Sequence, residues 1–123
     1  MLKNGMGGII INISSTPAIS GHVLGPPYTL AKAALIALTK HIALEYGRNN
    51  IRAYTLALRN IATEATFNSM SQEDIKKANE ESSMKRWGKP EEVAKVATCI
   101  AICNFSFTTG NTIVIDDSRV LLE

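Results

Sequence analysis

An α/β fold with a parallel sheet is predicted by three features of the sequence. Short β-branched apolar runs have the length of buried strands, longer segments between them carry apolar residues at helical spacing, and turn-forming residues mark the junctions. The order along the 123 residues reads strand, helix, strand, helix pair, strand. Strands that alternate with helices imply βαβ crossovers, and these join parallel strands with helices covering the sheet. About three strands make a thin sheet, so one edge is expected to stay raw unless another chain covers it. The length suits a single domain over residues 1–123, and the sequence contains no internal repeats or low-complexity tracts.

Each element has its own warrant. Gly7 to Ser14, GGIIINIS, is a run bounded by glycines and serines, and it reads as a strand buried on both faces, parallel and central. STPAISGHVLGPP follows and has the composition of a loop. From Tyr28 to Tyr46 the residues Ala31, Ala34, Leu35, Leu38 and Ile42 recur at helical spacing, and Gly47 is expected to end the helix in a left-handed cap. Alanines on more than one face imply close packing against this helix. Asn50 to Leu58 is the second strand. SQEDIKKANEES is a polar surface helix in which Ser71 and Asp74 have capping-box spacing. A further helix begins at Pro90, which fits the first helical position; Glu91 and Glu92 suit its positive end, and Val93, Val96, Ala97 and Ile100 form its buried stripe. Gly110 to Asp117, GNTIVIDD, is the last short strand.

Composition narrows the function classes. Hydrophobic residues make up 46% and charged residues 20%, as in a globular chain. Thirteen basic against eleven acidic side chains give a net charge of +2 with no dense basic cluster, so no nucleic-acid partner is expected. No apolar run approaches the ~18 residues of a membrane helix, and no signal-like segment opens the sequence. A soluble cytoplasmic protein is expected. Cys99 and Cys103 are expected to be small buried apolar residues rather than a disulfide or metal site, because His22 and His41 stand at no ligand-like spacing from them.

GPPYTLAKAAL, Gly25 to Leu35, places Tyr28 and Lys32 four residues apart at the start of the long helix, hence on one face. An ammonium stabilises a phenolate, and so does the positive end of a helix, so the pair is a reasonable proton-transfer device. Taken alone, such a spacing also describes an ordinary surface pair. Ser15 adds context, because it closes a buried parallel strand at its carboxyl end, where open α/β sheets bind ligands. Its hydroxyl is suited to hold a substrate oxygen while the tyrosine moves a proton. Ser14 is the rival for that role.

These residues resemble the short-chain dehydrogenases/reductases. The likeness rests on NISS (Asn12 to Ser15), YTLAK (Tyr28 to Lys32), NIRAYTLALRNIATEA, RWGKPEEVA and TGNTIVIDD, and runs over nearly the whole chain. RWGKPEEVA is most similar to the 3-oxoacyl-carrier-protein reductase branch and its sugar and alcohol dehydrogenase relatives. The resemblance implies a catalytic set of Ser15, Tyr28 and Lys32. Ser15 orients the substrate, Tyr28 is the acid in reduction and the base in oxidation, and Lys32 supports the tyrosine and holds the nicotinamide ribose. It implies that Tyr28, Lys32, Ile61 and Thr63 bind the cofactor, NAD or NADP, that Thr66 to Lys85 form a substrate lid, and that no metal takes part.

The departures from the family pattern shape the functional expectation. No glycine-rich turn follows a strand and opens a helix, the motif that seats a pyrophosphate; Gly5, Gly7 and Gly8 stand before a strand instead. The acidic residue that reads the adenine ribose and the family's upstream asparagine are also missing. The chain therefore resembles the carboxyl-terminal half of a Rossmann-like fold without the dinucleotide-binding half. Where the family has Pro-Gly after the second strand, this chain has Leu58-Arg59, so that loop is expected to be reshaped or strained. Where the family has Asp-Gly-Gly near the end, it has Asp116-Asp117-Ser118. The expected function is a truncated oxidoreductase-like protein. Its ancestral activity is NAD(P)-dependent exchange between carbonyl and alcohol, now lost or dependent on a separate amino-terminal half, with only loose cofactor binding by this chain. The alternative is a non-enzymatic interaction module with a relic triad. Self-association through the Tyr28–Tyr46 helix or the sheet edge is expected in either case.

Overall fold

A computed structural model of the protein describes residues 1–21, 25–103 and 105–118. His22, set aside above as a metal ligand, lies outside the described residues. Strand β1 (Gly8–Ser15) leads through a short helix α1 (Pro17–Ser20) to the long helix α2 (Pro26–Tyr46). Strand β2 (Ile51–Leu58) follows, then helices α3 (Glu64–Asn68), α4 (Gln72–Glu81) and α5 (Pro90–Ile102), and finally strand β3 (Asn111–Ile115). The three strands form one parallel sheet in the order β1-β2-β3. Gly8 pairs with Ile51 and Ser15 with Leu58, while Tyr54 pairs with Asn111 and Leu58 with Ile115.

The central strand is β2, not β1. Ala53, Tyr54, Thr55, Leu56 and Ala57 of β2 are all buried, whereas Ile13 of β1 keeps 43% of its surface exposed. A continuous apolar run looks the same on an edge strand as in the centre, so composition misplaced β1. Two further expectations also change. Thr16 to Gly21 is not all loop, because Pro17 starts a single helical turn. Gly47 does not cap α2 in the left-handed region: its φ is −56°, it opens a 3-10 turn, and Asn50 takes the positive φ of 57° just before β2. Asparagine tolerates that conformation better than most residues. Gly7 is required beside it, because a Cβ there would run into the Asn50 carbonyl.

Helix α2 docks on the sheet through hydrogen bonds as much as through apolar contact. Thr39 is fully buried, and its hydroxyl receives hydrogen bonds from Asn12 Nδ2 at 2.8 Å and Thr55 Oγ1 at 2.7 Å. It donates in turn to the Leu35 carbonyl at 2.8 Å. Ser14 Oγ donates to the Lys32 carbonyl at 2.8 Å. Of the apolar stripe expected from periodicity, Leu35 and Ile42 are partly buried, while Ala31, Ala34 and Leu38 face outward. Leu30, Leu38 and Leu44 are 68%, 46% and 88% exposed.

The opposite face of the sheet carries the apolar core. Tyr54 and Leu56 of β2 cluster there with Ile100 of α5, flanked by Ile9, Ile11, Val93, Val96, Ala97 and Ile113. The stripe expected for α5 is the one observed. Side chains alternate along a strand, so Thr55 meets α2 while Tyr54 and Leu56 meet the other layer. The sheet advances one way from β1 to β3, yet α2 and α5 cover opposite faces. The two crossovers therefore have opposite hands, and one is of the left-handed kind found in only about 2% of such connections.

Replacing Thr39 by valine keeps its shape but leaves the Asn12 amide and the Thr55 hydroxyl without their buried acceptor. Urea unfolding is expected to show a loss of about 1–3 kcal/mol. Lys76→Ala, at an 80% exposed side chain on α4, is expected to change stability by no more than about 0.5 kcal/mol.

Candidate active site

The candidate site lies where β1 ends and α2 begins. Ser14 and Ser15 point to opposite faces, which separates their roles. Ser14 is 2% exposed and its hydroxyl is committed to the Lys32 carbonyl, so it fastens α2 to the strand. Ser15 is partly buried, and its Oγ donates to the Leu58 carbonyl at 3.2 Å. That distance is long for a hydroxyl donor, and such a bond is readily exchanged.

Gly25 adopts a φ of 102° and turns the chain into α2, with prolines in the first turn. Tyr28 stands on that turn with 43% of its surface exposed. One turn on, Lys32 Nζ lies 5.9 Å from the centre of the Tyr28 ring, within reach of its π face, and donates to the Ile13 carbonyl at 3.1 Å. The structure thus brings Tyr28 and Lys32 together. Ser15 sits at the end of the same strand whose Ile13 carbonyl holds Lys32, but among the described residues no hydrogen bond joins Ser15 to Tyr28 or Lys32.

Ile61 and Thr63 follow β2. Ile61 forms a parallel bridge with Gly88, reinforced by Ala62 N to Gly88 O at 2.8 Å and Gly88 N to Asn60 O at 3.0 Å. A Cβ at Gly88 would approach Ile61 Cδ1 to 2.9 Å, so glycine permits this crossing. Thr63 caps α3: its Oγ1 accepts from Thr66 N at 3.1 Å and lies 2.7 Å from Thr66 Oγ1. The loop carrying Leu58-Arg59 takes its left-handed residue at Asn60, with φ of 49°, while Arg59 N bonds to the Ile115 carbonyl. At the other altered position, Ser118 adopts a φ of 71° and its N–H is held by Asp116 Oδ1 at 2.9 Å.

A cavity of about 350 Å³ opens beside these loops, lined by Arg59, Ile61, Glu92, Val96, Asp116 and Asp117 among others, and by none of Ser15, Tyr28 or Lys32. Sequence reading missed the pair that walls it. Arg86 grips Glu92 with both guanidinium nitrogens, Nη1 to Oε2 at 2.8 Å and Nη2 to Oε1 at 2.7 Å. Glu92 Oε2 also accepts from Lys89 N at 2.8 Å. The Arg86 hydrogen bonds, with the Lys89 N–H second, hold the Glu92 carboxyl down to about 2. The detectable signal was the glutamate three residues after the helix cap, a capping-box spacing. Among the described residues no group of three or more His, Cys, Asp or Glu is placed to hold a metal, and no helix is long and apolar enough to cross a membrane.

A parallel sheet flanked by helices, with a serine at a strand end and a tyrosine–lysine pair opening the next helix, defines a Rossmann-type α/β protein. Residues 1–117 match the family model described as enoyl-(acyl carrier protein) reductase, and the chain belongs to this family of short-chain dehydrogenases/reductases. It is 36% identical to the short chain dehydrogenase/reductase astE of Aspergillus oryzae, covering 99% of this chain and 48% of that protein. It is 32% identical to glucose 1-dehydrogenase 2 of Bacillus subtilis, covering 98% and 47%. A solved 7α-hydroxysteroid dehydrogenase, complexed with NADH and 7-oxo glycochenodeoxycholic acid, superposes with a TM-score of 0.87 at 28% identity, covering 95% of this chain and 46% of that one. The chain spans about half the length of the curated relatives it matches.

Glu92 has a lowered folded-state pKa, so its contribution to stability is present above the ordinary glutamate range and is lost as pH falls toward about 2. Carboxyl-detected NMR titration is expected to show Glu92 ionising well below the ordinary glutamate range. In Arg86→Ala its midpoint is expected to move back up toward the usual value.

Proposed function

We propose that this chain supplies the proton-transfer half of a nicotinamide-dependent reductase or alcohol dehydrogenase, and that it turns over only when a dinucleotide-binding half is provided beside β1. The observation that carries this reading is the Lys32 ammonium set against the exposed Tyr28 ring at the carboxyl end of a parallel strand. Tyr28 gives its phenolic proton to a carbonyl oxygen during reduction and recovers one during oxidation. Lys32 stabilises the phenolate formed in between. Ser15 turns its hydroxyl from the Leu58 carbonyl to the same substrate oxygen, an exchange favoured by the length of its present bond.

A bound nicotinamide supplies or accepts the hydride. The residues present fit only that end of the cofactor. Lys32 and Tyr28 would meet its ribose, and Ile61 and Thr63 its amide and nearest phosphate. The pyrophosphate seat does not fit this chain. Thr16-Pro17 follow β1 and Arg59-Asn60 follow β2, and among the described residues no glycine-rich turn joins a strand to a helix. The substrate is a carbonyl compound or the corresponding alcohol, with Thr66 to Lys85 as the lid. NAD and NADP are equally served by the residues present. The setting is the cytoplasm.

A second reading, a non-enzymatic module that self-associates, is favoured by Leu30, Leu38 and Leu44 on the outer face of α2. The open edge of β1 is the other candidate surface.

Three measurements test these readings. Excess NADH or NADPH is expected to leave the melting temperature of the isolated chain unchanged; a dose-dependent rise would mean that the chain binds cofactor by itself. Adding a dinucleotide-binding half from a relative is expected to restore nicotinamide-dependent reduction, and Tyr28→Phe is expected to lower that rate by at least about 100-fold. Persistence of the rate in Tyr28→Phe would remove the phenol from the mechanism. In sedimentation velocity the chain is expected to run as an oligomer, and Leu38→Glu with Leu44→Glu to convert it to monomer.

A further inference from the structure

Cys99 and Cys103 take no part in the site described above, and they are not the buried apolar residues that composition suggested. Both thiols are free and exposed on α5. The Cys99 S–H donates to Cys103 Sγ at 3.5 Å. Cys103 is the residue that ends the helix. Its backbone has left helical geometry, at φ −78° and ψ 116°, although its N–H still reaches the Cys99 carbonyl at 2.8 Å. One helical turn separates Cα atoms by about 6 Å, inside the window of about 4.4–6.8 Å that a disulfide spans. A cysteine pair in a helix interior is held rigidly at that spacing. Here the second residue lies at the helix end, where it is free to rotate toward the first.

We propose that Cys99 and Cys103 form a reversible dithiol–disulfide site that exchanges with low-molecular-weight disulfides. No third protein ligand accompanies the pair among the described residues, which favours sulfur exchange over metal binding. The hydrogen bond also sets the order of attack. Cys99 is the donor and keeps its proton, its pKa raised by that bond, so Cys103 is the sulfur that attacks first. The Cys103 thiolate displaces one thiolate from the small disulfide, which takes up the proton Cys103 released, and a mixed disulfide remains on Cys103. Cys99 then loses its proton and attacks the Cys103 sulfur, forming the Cys99–Cys103 bond and expelling the second small thiolate, which takes that proton. The protein dithiol is oxidised by two electrons, and the small disulfide is reduced to two thiols.

The test uses the reduced 123-residue chain, oxidised glutathione as the probe, and intact-mass spectrometry. The folded chain is expected to lose two hydrogen atoms and retain no glutathione. Cys99→Ser is expected to stop at a single stable glutathione adduct on Cys103, and Cys103→Ser to react more slowly than Cys99→Ser. Because the folded geometry holds the sulfurs together, ring closure is expected to be favoured at least about tenfold over the same chain in urea. Two persistent glutathione adducts on the folded chain would overturn the proposal, and so would closure no more favourable than in urea or a disulfide-linked dimer as the main product. Reduction with dithiothreitol is expected to return both thiols. Failure to do so would show that the oxidation is not exchange.

Discussion

The hydroxyl of Thr39 is the point on which the placement of α2 depends. It is wholly buried between helix and sheet, where an unmet polar group is costly. It is met on three sides, by Asn12 from β1, by Thr55 from β2 and by its own helix at Leu35. Apolar contacts tolerate rotation of a helix about its axis, whereas a hydrogen-bonded threonine does not. Lys32 and Tyr28 precede Thr39 by seven and eleven residues, about two and three helical turns. Fixing the azimuth of Thr39 therefore fixes the face on which the phenol and the ammonium stand. The Ser14 bond to the Lys32 carbonyl adds a second pin near the working end.

The other layer is held differently. Tyr54 and Leu56 meet Ile100 and its neighbours in an ordinary apolar cluster, and the Tyr54 hydroxyl fastens β2 to the loop before β3 through the Thr108 carbonyl at 2.5 Å. Tyr54 itself is only 2% exposed. Its ring fills the core while its hydroxyl secures a neighbouring loop. Nearby, the loss of proline and glycine after β2 is absorbed by Asn60, and the loss of glycine after Asp117 by Ser118 with help from the Asp116 carboxylate. Asparagine tolerates the left-handed region at position 60, and at position 118 the Asp116 carboxylate holds the serine N–H.

Much of this was legible in the sequence. Strand and helix order followed from apolar spacing and from Pro90 and Ser71 as starts; Ser71 does cap α4, although the Asp74 carboxylate accepts from its hydroxyl at 2.6 Å rather than from its backbone N–H. The Tyr28–Lys32 pairing followed from helical periodicity alone. Three kinds of feature were not legible. Whether an apolar strand is central depends on its partners, so β1 was misplaced. The inward face of α2 was misread because the fully buried Thr39 interrupts its apolar pattern, while Leu30, Leu38 and Leu44 face outward. The Arg86–Glu92 clasp was passed over because Glu92 was read only as suiting the start of α5, and the Ile61–Gly88 crossing beside it is a contact that no local pattern encodes.

The opposite hands of the two crossovers place the Tyr28–Lys32 pair and the Cys99–Cys103 pair on separate sides of a sheet. Side chains on one side reach the other only through the strands, β2 above all, whose residues alternate between them. Substitutions in α5 and in α2 should then act almost independently, as distant sites generally do. A lineage can rework one surface for regulation or assembly while the chemistry behind it stays put, and the central strand is where such freedom ends.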